Sequence, residues 1–419
     1  MQPAATPTVT VVGAGMVGVC CALELQRRGY KVKLVDRKAP GQETSWGNAG
    51  VLARSSLIPF NNPGLWASLP RLLGNRTPQF RYDLRFVLRR LPWALGFLGR
   101  ARTGPFLETA AALDALIRAS LPEHMRLLRE THASQRLRQD GWIFLYRSNA
   151  AYTQSELTRA TLERFEVSTQ VLNANALAML EPDLRPIFPR ALWVKDAYSV
   201  DNPGAVLQAY AELFRARGGE VELNEIAALL PRNPAGWQLT DMQGHSTVAQ
   251  QVVLALGPWS NDLLQTVNLK VPLAYERGYH QHFVAGPGSR LSRPVYDTGG
   301  GYVLAPMQTG LRLTTGVELT ERDAPPNSAQ LTLAEYAARQ ALALGPRVGD
   351  TWLGSRPTLP DSRPLIGRAP GHPGLWLALG HQHIGFSTGP GSALLLADLM
   401  TQTVGELDPR PFRPERFLA

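Results

Sequence analysis

The chain has 419 residues, 44% hydrophobic and 18% charged, with a net charge of +9. A chain of this length and apolar content buries a core without disulfides or metals, which excludes wholesale disorder. Its arginines are scattered without a run of five like charges, so nucleic-acid binding is not expected. The two cysteines, Cys20 and Cys21, are adjacent and fit a reducing compartment, and we expect a cytoplasmic location. No apolar run reaches 18 residues, so a membrane-spanning helix is not expected.

The N-terminal pattern predicts a strand, a glycine turn, a helix and a second strand. Thr8–Val12 is a short β-branched run, and Val17–Arg28 has helical composition ending before a glycine. Lys31–Val35 alternates polar and apolar residues and predicts the second strand. This order is typical of a dinucleotide-binding unit.

Each glycine of the turn and the acid after the second strand has a physical role in such a unit. Gly13 permits the tight turn, Gly15 lets a pyrophosphate approach the backbone, and Gly18 lets helix and strand pack closely. Asp36 follows Gly15 by 21 residues, where a carboxylate can accept ribose hydroxyls. The acid at this position disfavours NADP.

The segment after Asp36 is a polar, glycine-rich loop through Gly50, where a simple NAD-binding fold would continue into a helix. Residues 85–132 have helical composition. Within them, Arg85–Leu98 is apolar and basic and contains Pro92. It suits either a membrane-surface helix near a quinone or, as we favour, a helix that packs on the core.

The rest of the chain alternates strands and helices. The predicted strands are 141–147, 220–223, 252–256, 278–284 and 301–305, and the predicted helices are 157–165, 204–217, 331–344 and 392–401. Gly257 forces a turn at the end of its strand. The glycine turn before Ser392 offers backbone N–H groups and a positive helix end.

Four segments, in the same order, resemble FAD-dependent D-amino-acid dehydrogenases of the wider glycine oxidase and D-amino-acid oxidase group. They are ETSWGNAG (43–50), VVLALGPWS (252–260), WLGSRPTLPDSRPLIG (352–367) and GHQHIGF (380–386) followed by further glycines. With the N-terminal unit, the resemblance covers nearly the whole chain.

The resemblance implies an α/β fold in which a Rossmann-type FAD-binding domain accompanies a discontinuous α+β substrate domain. We expect residues 1–84, 196–265 and 345–419 to form the FAD-binding domain. Residues 85–195 and 266–344 would form the substrate-binding domain. The group's covalent members place a cysteine near the flavin ring. Cys20 and Cys21 are not so placed, so noncovalent FAD is expected.

The residues expected to contact FAD come from the glycine turn, the end of the second strand, the polar loop and the two later glycine segments. They are Gly13, Ala14, Gly15, Met16, Val17, Gly18, Asp36, Arg37, Thr44, Ser45, Asn48, Ala49, Gly50, Gly257, Trp259, Gly380, His381, Ile384, Gly385 and Phe386.

The resemblance also implies a reaction: hydride transfer from Cα of a D-amino acid or cyclic D-imino acid to flavin N5, with electrons passed to a quinone or another electron-transfer acceptor. Two alternatives stay open. One is an oxidase of glycine, sarcosine or an imino acid that uses oxygen, and the other is an FAD-binding electron-transfer subunit of a hetero-complex. Peripheral contact with the inner face of the plasma membrane would suit quinone reduction.

Substrate contacts are expected from five side chains. Arg356 is the candidate carboxylate clamp, because a guanidinium pairs with a carboxylate in a planar, bidentate way. Arg277, Tyr279 and His280 open a strand that faces the flavin in the group, and Tyr302 is a further polar candidate. The sequence RGYH departs from the KGYS of many D-amino-acid dehydrogenases and resembles D-proline or hydroxy-D-proline dehydrogenases. The pair His381 and His383 is not expected to bind a metal.

Overall fold

The computed structural model describes residues 7–232 and 235–418. Its strands in chain order are β1 Thr8–Val12, β2 Lys31–Asp36, β3 Val51–Leu52, β4 Phe80–Tyr82, β5 Leu137–Arg138, β6 Trp142–Tyr146, β7 Thr169–Asn173, β8 Arg190–Val194, β9 Tyr198–Val200, β10 Glu220–Leu223, β11 Ile226–Pro231, β12 Trp237–Asp241, β13 Ser246–Ala249, β14 Gln251–Leu254, β15 Ala274–Phe283, β16 Val295–Asp297, β17 Tyr302–Met307, β18 Gly310–Thr315, β19 Val317–Leu319, β20 Arg347–Thr358, β21 Leu365–Arg368 and β22 Leu375–Leu379. Its α-helices are α1 Met16–Arg27, α2 Gly64–Leu73, α3 Leu84–Arg89, α4 Leu91–Gly99, α5 Thr103–Glu130, α6 Asn149–Gln154, α7 Glu156–Arg164, α8 Ala174–Leu180, α9 Pro203–Ala216, α10 Ser260–Leu264, α11 Ala329–Ala341 and α12 Gly385–Thr401.

A six-stranded sheet, here called the parallel sheet, carries the N-terminal unit. Its order is β10-β2-β1-β14-β22-β21, with only β21 antiparallel to its neighbour. The alternating side chains of β1 explain why both faces are covered. Val9 and Val11 pack with helices α1, α9 and α12, while Val12 packs with the antiparallel sheet β11-β12-β13.

A ten-stranded mixed sheet, here called the large sheet, forms the second layer. Its order is β4-β19-β15-β18-β17-β16-β6-β8-β7, and β20 also pairs with β15. The face that carries Tyr279 and Phe283 packs on helix α11 in one hydrophobic core. Because side chains alternate along a strand, Gly278 and His280 lie on the opposite face.

The α/β fold predicted from the sequence is confirmed, and most predicted elements are present within a few residues of their expected bounds. One helix is longer than predicted, because α12 begins at Gly385 rather than Ser392. Its inner glycines are sites of close helix packing: a Cβ at Gly389 would lie 2.9 Å from Met16 Cγ, and one at Gly391 would lie 2.6 Å from the Leu116 carbonyl oxygen. Glycines that resembled a loop therefore allow α12 to pack tightly on α1 and α5.

The division into two domains stays a prediction, and strand pairing now suggests where its boundaries lie. Strands β4 and β20 were both expected in the FAD-binding domain. In the structure, both pair with strands of the large sheet, β4 with β19 and β20 with β15. Helix α5, expected in the substrate part, packs with α1 and α12 through Leu116, Leu127 and Leu128. We therefore propose that β4 and β20 belong to the substrate domain and that α5 belongs to the FAD-binding domain.

The segment Arg85–Leu98 is divided between two short helices, α3 and α4. Asp83 caps α3 by accepting a hydrogen bond from Phe86 N, and Pro92 stands in the first turn of α4. Phe86 and Trp93 are buried against Ala274 and Tyr275, so one face of this segment packs on the core, as favoured above.

Among residues 7–232 and 235–418, every helix is too short or too polar to cross a bilayer.

Candidate active site

A cavity of about 690 Å³ lies between the carboxyl ends of β1, β2 and β14 and one face of the large sheet. Open α/β sheets bind ligands at such strand ends. The cavity runs from Asp36 and Trp259 at one end to Arg356 and Thr314 at the other. We call these the nucleotide end and the substrate end, after the ligands that each end suits.

The nucleotide end is shaped by the glycine turn and Asp36. Gly13 has φ +109°, and a Cβ there would lie 2.5 Å from the Ala255 carbonyl oxygen, so a side chain is excluded. Asp36 Oδ2 accepts a hydrogen bond from Ala14 N at 2.6 Å, which ties the acid to the turn. Burial raises the pKa of Asp36 above its ordinary value. The guanidinium of Arg37 lies 4.2 Å from the ring centroid of Trp259.

The polar loop predicted to follow the flavin is fixed at several points. Ser45 Oγ accepts from Met16 N at 3.0 Å, at the start of α1. Thr44 Oγ1 donates to the Ser355 carbonyl at 2.9 Å, beside the candidate clamp. Arg312 of β18 donates to the carbonyls of Trp46 at 3.0 Å and Asn48 at 2.6 Å from behind the loop.

The amino end of α12 opens into the middle of the cavity. Ile384, Gly385 and Phe386 line it there, and backbone N–H groups of a first helical turn favour negative charge. His124 of α5 supports this turn with Nε2 at 2.9 Å from the Phe386 carbonyl oxygen. Burial lowers the pKa of His124 to about 4, so the ring is neutral at physiological pH and hydrogen-bonds in one tautomer.

These features fit FAD. A glycine turn that a Cβ would fill, the amino ends of α1 and α12 and an acid at the end of β2 are the groups that a dinucleotide needs. The cavity continues past the first turn of α12 to the large sheet. A flavin ring bound at that turn would therefore share the cavity with Arg356.

At the substrate end, Arg356 stands on β20 opposite Glu276 of β15. Its guanidinium lies over Gly278, where a Cβ would come within 2.3 Å of Nη2. Its Nη1 donates to the Gly316 carbonyl at 3.3 Å, and among the described residues no carboxylate oxygen lies within 4.0 Å of it. The guanidinium is therefore available to a ligand carboxylate.

Glu276 adds a titratable group beside this cation. Burial raises the pKa of Glu276 to about 7, and the nearby charge of Arg356 opposes the rise. Burial likewise lowers the pKa of Arg356 below its ordinary value, while Glu276 opposes that shift. Below pH 7 the positive charge of Arg356 is therefore not offset by Glu276.

Two predicted substrate contacts, Arg277 and Tyr279, lie on the other face of β15. Arg277 Nη2 donates to Tyr279 Oη at 2.9 Å, and that hydroxyl donates to Glu318 Oε2 at 2.6 Å. Arg277 also donates to the carbonyls of Ala324 and Pro325. These hydrogen bonds hold the 318–327 segment against the sheet, away from the cavity, and we assign both residues a structural role.

Tyr302 and His280, the other two predicted substrate contacts, lie near the cavity without being clear substrate contacts. Tyr302 borders the cavity, but it belongs to the hydrophobic core behind the large sheet. His280 lies on the cavity face, where Trp352 stacks on it at 4.9 Å between ring centroids. Trp352 separates the main cavity from a second pocket of about 470 Å³, which His280 lines.

The second pocket also contains a buried cation. Arg312 is 4% exposed, and its Nε donates to His282 Nε2 at 3.0 Å. Burial lowers the pKa of His280 to about 3 and that of His282 to about 4, with the charge of Arg312 adding to both shifts. At physiological pH both histidines are therefore neutral, and of these three side chains Arg312 alone carries a positive charge behind the 46–48 loop.

Three residues at the substrate end lie outside the predicted set: Thr314 and His383, which line the cavity, and Glu276, which lies beside Arg356 without lining it. His383 lines the cavity with Nδ1 unpaired among the described residues, and burial and Arg356 together lower its pKa to about 4. Thr314 Oγ1 is likewise buried without a described partner. Alternation along β15 places Glu276 on the same face as His280, whereas the pair His381 and His383 suggests at most a metal site.

Most predicted site residues meet at the one cavity, and the remaining seven do not line it. Those that line it are Gly13, Gly15, Met16, Val17, Asp36, Arg37, Thr44, Ser45, Asn48, Ala49, Gly257, Trp259, Tyr302, Arg356, His381, Ile384, Gly385 and Phe386. Those that do not are Ala14, Gly18, Gly50, Gly380, Arg277, Tyr279 and His280. Gly18 acts in packing, since a Cβ there would overlap the Gly13 carbonyl.

Cys20 and Cys21 are buried within α1, and burial raises both thiol pKa values. Neither lines the cavity. Within the described ranges, no group of three His, Cys, Asp or Glu side chains is placed to hold a metal.

Comparisons with known proteins agree with this geometry. A family model described as FAD dependent oxidoreductase matches residues 8–399. The chain is 29% identical to a D-amino-acid oxidase of Bradyrhizobium diazoefficiens over 98% of this chain and 99% of the relative. It is 30% identical to D-amino acid dehydrogenase 2 of Pseudomonas aeruginosa, again over 98% and 99%.

Solved structures share the fold. Glycine oxidase from Geobacillus kaustophilus superimposes with a TM-score of 0.73 at 21% identity, covering 99% of this chain and 100% of the other. L-proline dehydrogenase from P. horikoshii gives a TM-score of 0.74 at 19% identity, covering 99% of each chain.

Proposed function

Because this chain belongs to the FAD-dependent oxidoreductase family, we propose that it catalyses the oxidative deamination of a D-amino acid or a cyclic D-imino acid. The D configuration rests on relatives named D-amino-acid oxidase and D-amino acid dehydrogenase 2. When bound, FAD supplies the acceptor for the hydride of the substrate Cα.

The observation that carries this proposal is Arg356. A cavity-lining guanidinium without a described carboxylate partner is a recognition group for a substrate carboxylate. Gly278 leaves the space that the planar guanidinium occupies, and Gly316 orients one end through its carbonyl. Arg356 thus fixes the acid group of the substrate, and with it the position of Cα.

His383 and Thr314 are the proposed partners of the substrate amine. Both line the cavity and carry a buried polar atom without a described partner. Because the pKa of His383 is lowered to about 4, its neutral ring can accept a hydrogen bond from an amine N–H at physiological pH. This arrangement orients the amine without adding a second positive charge.

Asp36, Arg37 and the amino ends of α1 and α12 are the groups that we propose to hold FAD. We propose noncovalent attachment, because both cysteines lie in the core of α1 outside the cavity. Acid precipitation tests this directly. The flavin should remain in the supernatant, and a yellow pellet would overturn the proposal.

The proposed electron acceptor is a quinone or an electron-transfer protein, with the chain working at the cytoplasmic face of a membrane. The relative named D-amino-acid oxidase favours one alternative, direct reduction of oxygen. Oxygen uptake compared with dichlorophenolindophenol reduction separates the two. A dehydrogenase reduces the dye much faster than oxygen, whereas an oxidase forms hydrogen peroxide at a comparable rate.

An anaerobic flavin-bleaching screen tests the reaction class. The FAD-loaded protein is mixed with D- and L-amino acids, including both prolines, and the visible flavin band is followed. Bleaching by D-substrates alone is the expected result. Bound flavin that no amino acid bleaches would overturn the proposed function.

A further inference from the structure

Residues 60–105 carry most of the net charge of the chain. This stretch contains eight arginines and a single acid, Asp83, a net charge of +7 out of the +9 of the whole chain. The ion pairs found there join Arg89 and Arg90 to Glu321. The other six arginines have no carboxylate oxygen within 4.0 Å among the described residues.

The same stretch exposes a row of leucines on helices α3 and α4. Leu84 and Leu88 are one turn apart on α3, and Leu91 and Leu95 are one turn apart on α4. These four side chains are between 46% and 61% exposed. The opposite side of the two helices is already buried, through Phe86 and Trp93. The helix pair is thus apolar on two faces, and the core covers only one of them.

Helix α2 extends this apolar surface. None of its ten residues is buried, although its sequence GLWASLPRLL is mostly apolar. Trp66 and Leu73 are each about half exposed or more. Trp66 Nε1 donates to the Ala101 carbonyl just past the end of α4 at 2.7 Å, which joins α2 to α4. We call Trp66, Leu73, Leu84, Leu88, Leu91 and Leu95 together the docking face.

The docking face adjoins the cavity. Ile58, Pro59 and Phe60 line the cavity, and α2 begins at Gly64, four residues after Phe60. Helix α4 is also attached to the strand that carries Arg356, since Trp93 Nε1 donates to the Thr358 carbonyl at 3.0 Å. A layer in contact with the docking face would therefore lie next to the wall of the cavity.

We propose that the docking face binds an anionic lipid bilayer and brings the cavity to a quinone dissolved in that bilayer. Exposed Trp and Leu side chains insert at the boundary between headgroups and acyl chains, and unpaired arginines attract anionic headgroups. The lipid contact stands on the charge and exposure of residues 60–105. The quinone part rests on the proposed function.

Cosedimentation of the FAD-loaded full chain with vesicles tests the lipid contact. Vesicles of phosphatidylcholine with phosphatidylglycerol should bind the protein about tenfold or more tightly than phosphatidylcholine alone, and added salt should weaken the binding. The double variant Leu88→Glu, Leu95→Glu should lose this binding by about tenfold or more. Leu84→Glu should show a smaller loss. Met179→Glu is the matched control, because Met179 is an apolar side chain of α8 that is 85% exposed. This variant should bind the vesicles as tightly as the wild type.

A wild-type protein that stays in the supernatant with phosphatidylglycerol vesicles would overturn the lipid contact. Vesicle binding by the double variant equal to that of Met179→Glu would do the same. The visible flavin spectrum of each variant establishes that it has folded around FAD.

Reduction of ubiquinone-10 in the vesicles, with D-proline or D-alanine as donor, tests the coupling to the cavity. The double variant should reduce this quinone about tenfold more slowly, yet reduce dichlorophenolindophenol in solution at the wild-type rate. Equal quinone reduction by both proteins would overturn the coupling. If the wild type failed to reduce the dye with either donor, that result would count against the proposed function. The vesicle experiment would still decide the lipid contact.

Discussion

The nucleotide end and the substrate end of the cavity are assembled from the chain in different ways. At the nucleotide end, Ala14 N and Asp36 Oδ2 are 22 residues apart in sequence and 2.6 Å apart in space. At the substrate end, Arg356 lies over Gly278 and donates to Gly316, residues on two other segments. The first end is built around one local βαβ unit, to which the segment after β14 adds Trp259, whereas the second depends on the register of β15 with β20.

This difference has a functional consequence. A local unit can hold the same cofactor in many proteins, because its hydrogen bonds do not depend on the rest of the fold. The substrate end depends on three distant segments, so small changes in strand register or in one glycine alter what binds there. The two ends should therefore respond separately to substitution.

The largest expected effect is at the substrate end. Arg356→Met should lower kcat/KM for D-amino acids by about a thousandfold, since charged hydrogen bonds contribute about 1.5–3 kcal/mol each and 1.4 kcal/mol is tenfold. FAD affinity should stay as in the wild type. Steady-state dye reduction and flavin titration measure the two quantities. Arg368→Met, at an exposed arginine of β21, is the matched control. Kinetics of Arg356→Met close to those of this control would contradict the clamp.

The corresponding change at the nucleotide end is Asp36→Ala. It removes the acceptor that ties Ala14 N to the turn and that suits a ribose hydroxyl, so FAD should bind about a hundredfold more weakly. At saturating FAD, kcat should stay near the wild-type value. Fluorescence titration of the apoprotein with FAD measures the affinity. A fall in kcat that added FAD does not restore would mean that the two ends are not separate.

Gly278→Ala sharpens the comparison by moving the clamp without removing it. The new Cβ would come within 2.3 Å of Arg356 Nη2, so the guanidinium must shift. Displacing the guanidinium of Arg356 should lower kcat/KM by only about tenfold, because the end of an arginine side chain can partly adjust its position. Gly286→Ala is the control, since its nearest neighbour lies 4.0 Å away. An unchanged kcat/KM in Gly278→Ala would show that the position of Arg356 is not limiting.

The smallest expected effect is on pH dependence. As the pH rises through about 7, Glu276 ionises and offsets the charge of Arg356, so KM for D-amino acids should rise about threefold to tenfold. Glu276→Gln should remove this rise. Glu181→Gln is a matched control, because burial also raises the pKa of Glu181 to about 7, whereas its cationic neighbour is Arg293 at 3.3 Å and not Arg356. A KM profile in Glu276→Gln that matches this control would rule out Glu276 as the titrating group.

The nucleotide end could be predicted from the sequence more fully than the substrate end. The glycine turn, helix α1 and Asp36 are fixed by neighbouring residues, and they lie where the pattern predicts. The family and the α/β fold also followed from short motifs. The start of α12 did not, because glycines in a tightly packed helix have the composition of a loop.

The substrate end shows what local patterns leave undecided. The sequence predicts both Tyr279 and His280 as substrate contacts, but neighbouring side chains of a strand point to opposite faces, and the local pattern does not decide which of the two faces the cavity. Pairing with β18 and β20 decides it: His280 lies on the cavity face and Tyr279 in the core. The roles of Glu276 and His383 depend on the nearby charge of Arg356, which the fold brings to them from a distant part of the chain, so neither role could be predicted from neighbouring residues.

The central claim is that Arg356 recognises the carboxylate of the substrate. Anaerobic flavin reduction by D-proline and by pyrrolidine, which is proline without its carboxylate, tests it in the wild type and in Arg356→Met. The account predicts that the wild type prefers D-proline by a large factor, and that the variant loses this preference while reacting with pyrrolidine at the wild-type rate. A preference for D-proline that survives in Arg356→Met would contradict it.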